Sequence, residues 1–167
     1  MKDFVFRIPR PAFAVFAALH AGFITLLSSC PGDKLPGKGF LVSWFYNLLH
    51  APVFAILAVF VALALGERRE TTDSGRSIEW SLARVVGSIA IVLGFGVVDE
   101  WHQSFVAKRS SDPVDLITDT LGSIAAVLLL RIAFSAGDAA GRNRRWVGVA
   151  ACAALAALNA AFASLPR

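Results

Sequence analysis

Within residues 99–119, DEWHQSFVAKRSSDPVDLITD, five carboxylates stand beside a His, a Gln, a Lys and an Arg. Residues of these types support three chemistries. Paired carboxylates with an imidazole can do general acid–base work. The same oxygens and nitrogen can hold a divalent cation, although no spacing here is diagnostic, so metal and cofactor stay open. A guanidinium can grip a phosphate or carboxylate through two parallel N–H groups. The candidate catalytic residues are Glu100, His102, Asp115 and Asp119, and the candidate substrate-binding residues are Asp99, Gln103 and Arg109.

A plainer account competes for part of this set. Asp112, Asp115 and Asp119 are spaced i, i+3, i+7, which puts them on one face of a helix. Pro113 suits a first helical position with Ser111 or Asp112 as cap, and acids in a first turn favour the helix dipole. Asp119 lies two turns in, beyond the reach of capping. If it faced lipid it would cost about 2.5–3.5 kcal/mol, so it is expected to face the bundle interior or water.

The elements that must position these residues are apolar. The 167 residues are 56% hydrophobic and 17% charged, with mean hydropathy +0.64. Soluble domains carry about 25% charged residues. Five apolar segments, about 11–30, 41–65, 81–98, 113–134 and 146–165, approach the ~20 residues that cross a bilayer. The expectation is a single all-α, polytopic integral membrane domain of about five transmembrane helices over 1–167. The stretches 66–80 and 135–145 read as solvated loops. Residues 104–112 are a short link, so the third and fourth helices are antiparallel neighbours with their polar ends together. If the third helix continues one turn, Asp99 meets His102 or Gln103, and Glu100 meets Gln103. Facing acids would repel unless Arg109, Lys108 or a cation stands between them.

The net charge of +4 is no nucleic-acid signal, because the basic residues fall in loops. Eleven of the sixteen Lys and Arg, at 2–10, 68–84 and 131–145, lie on the N-terminal side of such a topology. Positive charge favours the cytoplasmic side, giving N-terminus inside, C-terminus outside and the 99–119 stretch outside. Cys30 and Cys152 fall at different depths, which argues against a disulfide. LSSC at 27–30 is similar to a lipoprotein cleavage box, a reading that would leave Cys30 lipidated and four helices; the other is an ordinary first helix ending at Pro31. His20 and His50 read as packing histidines, and Asn159 as a partner in a helix–helix hydrogen bond.

DEWHQSFVAKR followed by DLITDTLGS resembles the VanZ-like family of small membrane proteins. The resemblance covers about residues 20–130 and rests on Asp99, Glu100, His102, Gln103, Phe105, Arg109, Asp115, Asp119 and Gly122. SSCPG at 28–32 and DK at 33–34 are similar to the family's first-helix end, and His50 falls near a His often found at the start of its second helix. Ala107-Lys108 departs from the Pro-Gly that often precedes the Arg. The resemblance implies a helical membrane domain of the cytoplasmic (inner) membrane. It also implies a link to the cell envelope or to glycopeptide (teicoplanin-type) antibiotic resistance. Two functions stay open. One is an enzyme acting at the outer leaflet on a lipid-linked or anionic envelope substrate. The other is a non-catalytic protein whose charges tie helices three and four. A transporter is disfavoured, since no repeat or broken apolar segment is visible.

Overall fold

The computed structural model describes residues 2–31, 39–71, 75–109, 112–134 and 139–165. The order is α1 (Lys2–Arg7), α2 (Arg10–Ser28), α3 (Phe40–Leu65), β1 (Glu67–Thr71), β2 (Gly75–Glu79), α4 (Leu82–Gln103), α5 (Asp115–Phe134) and α6 (Ala139–Ala163). Five of the helices, α2 to α6, are long and apolar enough to cross a membrane. Pro11 sits in the first turn of α2, where its missing N–H costs nothing. Ser81 caps α4, its side chain accepting from the Arg84 N–H.

The bundle buries carboxylates while it turns large apolar side chains outward. Leu19, Leu26 and Val147 are 68%, 72% and 70% exposed, while Asp99 and Asp119 are 3% and 2% exposed. In water that arrangement would forfeit about 25 cal/mol for every Å2 of apolar surface left wet. In a bilayer it is the stable one, because lipid solvates the apolar face and every polar group needs an internal partner. The protein is an all-α, multi-pass membrane protein.

Hydrogen bonds show which helix ends meet. Arg10 donates to the Ala64 and Leu65 carbonyls, placing the start of α2 beside the end of α3. Trp44 Nε1 donates to Ala157 O (3.1 Å) and Asn47 Nδ2 to Ser164 Oγ (3.0 Å), joining the start of α3 to the end of α6. Asn159 makes the expected interhelical bonds, to Val114 O at 2.8 Å and Thr118 Oγ1 at 2.9 Å. One end of the bundle thus gathers the C-terminal ends of α2, α4 and α6 with the N-terminal ends of α3 and α5.

Three expectations about segments change. Residues 66–80 are not merely a solvated loop: β1 and β2 pair as an antiparallel hairpin. Its apolar residues explain this, since Ile78 and Trp80 are buried in a cluster with Phe13, Leu63 and Phe134. Trp80 Nε1 donates to Ala62 O, and Gly66 leaves room for Ile78, whose Cγ2 would lie 2.6 Å from a Cβ there. The outer face carries Arg69–Glu79 and Arg84–Glu67 pairs, and the Arg84 hydrogen bond and charge hold the Glu67 carboxyl below its usual range. The third helix does not end at Val98 but runs on to Gln103, because its polar last turn is buried among partners rather than hydrated. The fifth begins at Ala139, not 146, so the Arg-rich stretch before Trp146 is helical.

Candidate functional site

Asp112 starts the return chain. Its Oδ1 accepts from the Val114 N–H and its carbonyl from the Asp115 N–H, closing a turn that leads into α5. This matches the expectation of a cap at this point; Ser111 lies outside the described residues. From there Asp115 (7% exposed) and Asp119 (2%) run down the inward face of α5. Opposite them, the last turn of α4 buries Asp99, Glu100 and Gln103. Glu100 Oε2 accepts from the Asp112 N–H at 2.8 Å, so the polar ends of α4 and α5 do come together.

A chain of hydrogen bonds orders one wall. Ser28 Oγ donates to Asp99 Oδ2 (2.9 Å), and Gln103 Nε2 donates to the same oxygen (2.8 Å). Arg109 Nε in turn donates to Gln103 Oε1 (3.0 Å). A buried amide between a carboxylate and a guanidinium must present its N–H2 to the first and its oxygen to the second, so its orientation is fixed. Asp99 Oδ1 has no hydrogen-bond partner among the described residues. The link before Arg109 is tight: Lys108 adopts φ +57°, a left-handed conformation that costs a non-glycine residue about 1–2 kcal/mol. It stands where the resembled pattern often has Gly.

The centre of the site is a residue that the reading of the residues alone took for packing. His50 Nδ1 lies 3.2 Å from Asp119 Oδ1, and the imidazole stacks on Phe54. His50, Glu100 and Asp115 each bring one donor atom to a common point, all within 4.8 Å of one another. Three donors around one ion at about 2.1 Å are at most about 3.6 Å apart, so shifts of up to about 0.7 Å per side chain would complete a ligand set. One imidazole nitrogen with two carboxylate oxygens suits a first-row divalent cation. Asp119, at His50 Nδ1, would then stand as the outer-shell carboxylate of a ligating histidine. The signal that pointed to His50 was its position near the resembled family's histidine.

His102 is placed differently. Its Nε2 lies 3.0 Å from Ser29 Oγ at the end of α2, away from the His50, Glu100 and Asp115 donors. Asp99, Gln103, Arg109, Asp112 and Asp115 share with His50 the wall of one cavity of about 600 Å3. Apolar Ile24, Leu27, Leu49, Val53 and Phe54 line it as well. A lining that combines charge with hydrocarbon suits an amphipathic ligand with an anionic head. Cys30 lines the same cavity and is a free thiol, as is Cys152.

A family model described as VanZ/LLP1 matches residues 10–134. Neither the comparison with curated proteins nor that with solved structures gave a match. The match takes in α2 to α5 whole, and with them every residue of the acid–histidine–arginine site, so the chain belongs to the VanZ/LLP1 family.

Proposed function

We propose that this protein is a divalent-cation-assisted enzyme acting on the anionic headgroup of a lipid-linked envelope substrate, at the outer face of the cytoplasmic membrane. The observation that carries this reading is the meeting of His50, Glu100 and Asp115, from three helices, beside a cavity that His50 and Asp115 line together with Arg109. A cation held there would neutralise the charge of the headgroup oxygens and acidify water. Arg109, braced by Gln103, grips the headgroup, phosphate being the group its fork fits best. Asp99, with Oδ1 lacking a partner among the described residues, is placed to take a proton from water. His50 would help hold the cation and Asp119 would orient His50, while His102 braces the end of α2.

The test is cation binding by the purified protein, measured calorimetrically with Mn2+ and Zn2+ and by metal content. The wild type should bind about one ion per chain. Glu100→Gln, which keeps shape and an acceptor for the Asp112 N–H, should fold normally. Its affinity should fall by more than the roughly 10–100-fold typical of losing an outer-shell partner. Equal binding by both proteins would overturn the reading.

A second reading, the non-catalytic tie between helices, is favoured by the bond from Asp112 N–H to Glu100. It predicts instead that Glu100→Gln lowers thermal stability while no ion binds. Any bearing on glycopeptide antibiotics follows in either case from binding or turning over an envelope component at this face. The orientation rests on the Lys and Arg excess at the opposite end of the bundle. A maleimide that cannot cross membranes should label exposed Cys30 in intact cells; labelling only after lysis would reverse the topology.

A further inference from the structure

The cavity beside the His50–Glu100–Asp115 cluster meets the lipid-facing surface of the bundle where α2 and α3 adjoin. Helix α2 turns Leu19, Phe23 and Leu27 outward at intervals of four residues, and α3 does the same with Leu41, Phe45 and Leu49. In a bilayer these two stripes are solvated by hydrocarbon. One member of each, Leu27 at 46% and Leu49 at 39% exposed, also lines the cavity. Residues that belong to both surfaces stand at an opening between them.

The lining of the cavity changes with depth. Lys108 and Arg109, from the link between α4 and α5, line it at the end of the bundle. Ile24, Val53 and Phe54 line it further in. Ile24 lies one turn, about 6 Å, deeper along α2 than Ser28, whose bond to Asp99 marks the level of the acids. Just below, His20 Nε2 lies 3.0 Å from Val53 O and ties α2 to α3. Other sides of the rim are joined by hydrogen bonds. Ser28–Asp99 and Ser29–His102 link α2 to α4, while Trp44–Ala157 and Asn47–Ser164 link α3 to the end of α6. A volume of about 600 Å3 suits one ligand of drug size, enough for a headgroup and the start of one chain.

We propose, resting on the cation-assisted function above, that the ligand is a single-chain lipid phosphate which slides in from the bilayer between α2 and α3. Its first methylenes lie along Ile24, Leu27, Leu49 and Val53, and its phosphate reaches Arg109, whose fork fits that group. The chain never leaves hydrocarbon on this route, so no apolar surface is wetted on the way. A second chain would need a second apolar way out, and the sides joined by hydrogen bonds do not provide one.

A dodecyl phosphate carrying a diazirine on its fourth carbon locates the chain. It is irradiated with the Mn2+-loaded protein in phosphatidylcholine nanodiscs, and the labelled peptides are mapped by mass spectrometry. Adducts should fall on residues 24–28 and 46–53, and excess plain dodecyl phosphate should reduce them about tenfold or more. Leu27→Trp, which fills the opening and touches no cation donor, should reduce them to a similar degree. Its cation affinity by calorimetry should stay at the wild-type value. Competable adducts near Ser164 of α6 instead would overturn the route, and equal competition by dioleoyl phosphatidic acid would overturn the single chain. Labelling that no competitor removes, in a protein that binds its cation, would overturn the proposal while leaving the function standing. A wild type that binds no cation yet shows competable labelling of α2 and α3 would do the reverse.

Discussion

Asp119→Ala should lower cation affinity by about 10–100-fold, the range found when a histidine ligand loses its outer-shell carboxylate. It should also lower stability. His50 Nδ1 and Asp119 Oδ1 face each other across α3 and α5 with side chains 16% and 2% exposed, so neither can turn to water for a substitute. Leaving a buried polar group without its partner costs about 1–3 kcal/mol, and breaking a buried ion pair about 3–5 kcal/mol. Asp119→Asn separates the two effects. The amide keeps an oxygen for the His50 N–H but gives up the charge, so most of the stability should return while the affinity stays low. Titration calorimetry and thermal unfolding in detergent read the two quantities independently. Wild-type cation affinity in Asp119→Ala would show that His50 needs no orienting carboxylate, and the assignment of His50 as a ligand would fail with it.

Gly122→Ala should be about as damaging from a position that bears no chemistry. A Cβ at Gly122 would stand 2.2 Å from the carbonyl oxygen of Ala51, and 2.8 Å from that residue's Cα. Carbon–oxygen contacts ordinarily settle at about 3.3–3.6 Å. One methyl therefore requires α3 and α5 to part by about 1 Å, and what obstructs it is backbone, which cannot rotate aside as a side chain would. Overpacking of this kind costs about 1–3 kcal/mol or more. The functional effect should exceed the structural one. Ala51 follows His50 in the chain, and Gly122 lies one turn from Asp119, so the separation opens the very contact that sets the imidazole. A misplacement of about 1 Å can reduce a rate about 100-fold. Gly94→Ala is the control, since nothing lies within 4 Å of a Cβ there. If Gly122→Ala matched Gly94→Ala in melting temperature and cation affinity, the close approach of α3 and α5 would not be what builds the site.

Gly96 makes the same point for α4. A Cβ there would meet Leu116 at 3.1 Å and Asp119 Oδ2 at 3.4 Å. Glycines on α4 and α5 let three helices close around buried carboxylates. Close backbone approach at small residues is how helices associate in lipid, where no hydrophobic effect drives them together. In this protein it is also what brings His50 of α3 to Glu100 of α4 and Asp115 of α5.

The amino-acid sequence by itself determined the solvent of this fold and the number of its spans. Hydropathy is a local property, so five apolar runs could be counted without knowing how they pack. Helical periodicity is local too, which is why Asp112, Asp115 and Asp119 could be put on one face and Asp119 turned inward. The short link between α4 and α5 likewise forced Glu100 and Asp112 to the same end. Segment boundaries were less legible. Burial of Asp99, Glu100 and Gln103 extends α4 past Val98, and burial of Ile78 and Trp80 makes a hairpin of what composition marks as a loop; burial is decided by other parts of the chain.

Which histidine joins these acids was decided by tertiary structure. His50 and Asp119 are 69 residues apart, and no pattern within either helix says that they touch. His102, two residues from Glu100, looked closer to the chemistry than His50, yet its side chain turns to Ser29 at the end of α2. Neighbours along a helix point about 100° apart around its axis, so nearness in sequence cannot say which partner a side chain meets. That choice belongs to the packing of α2, α3, α4 and α5 against one another.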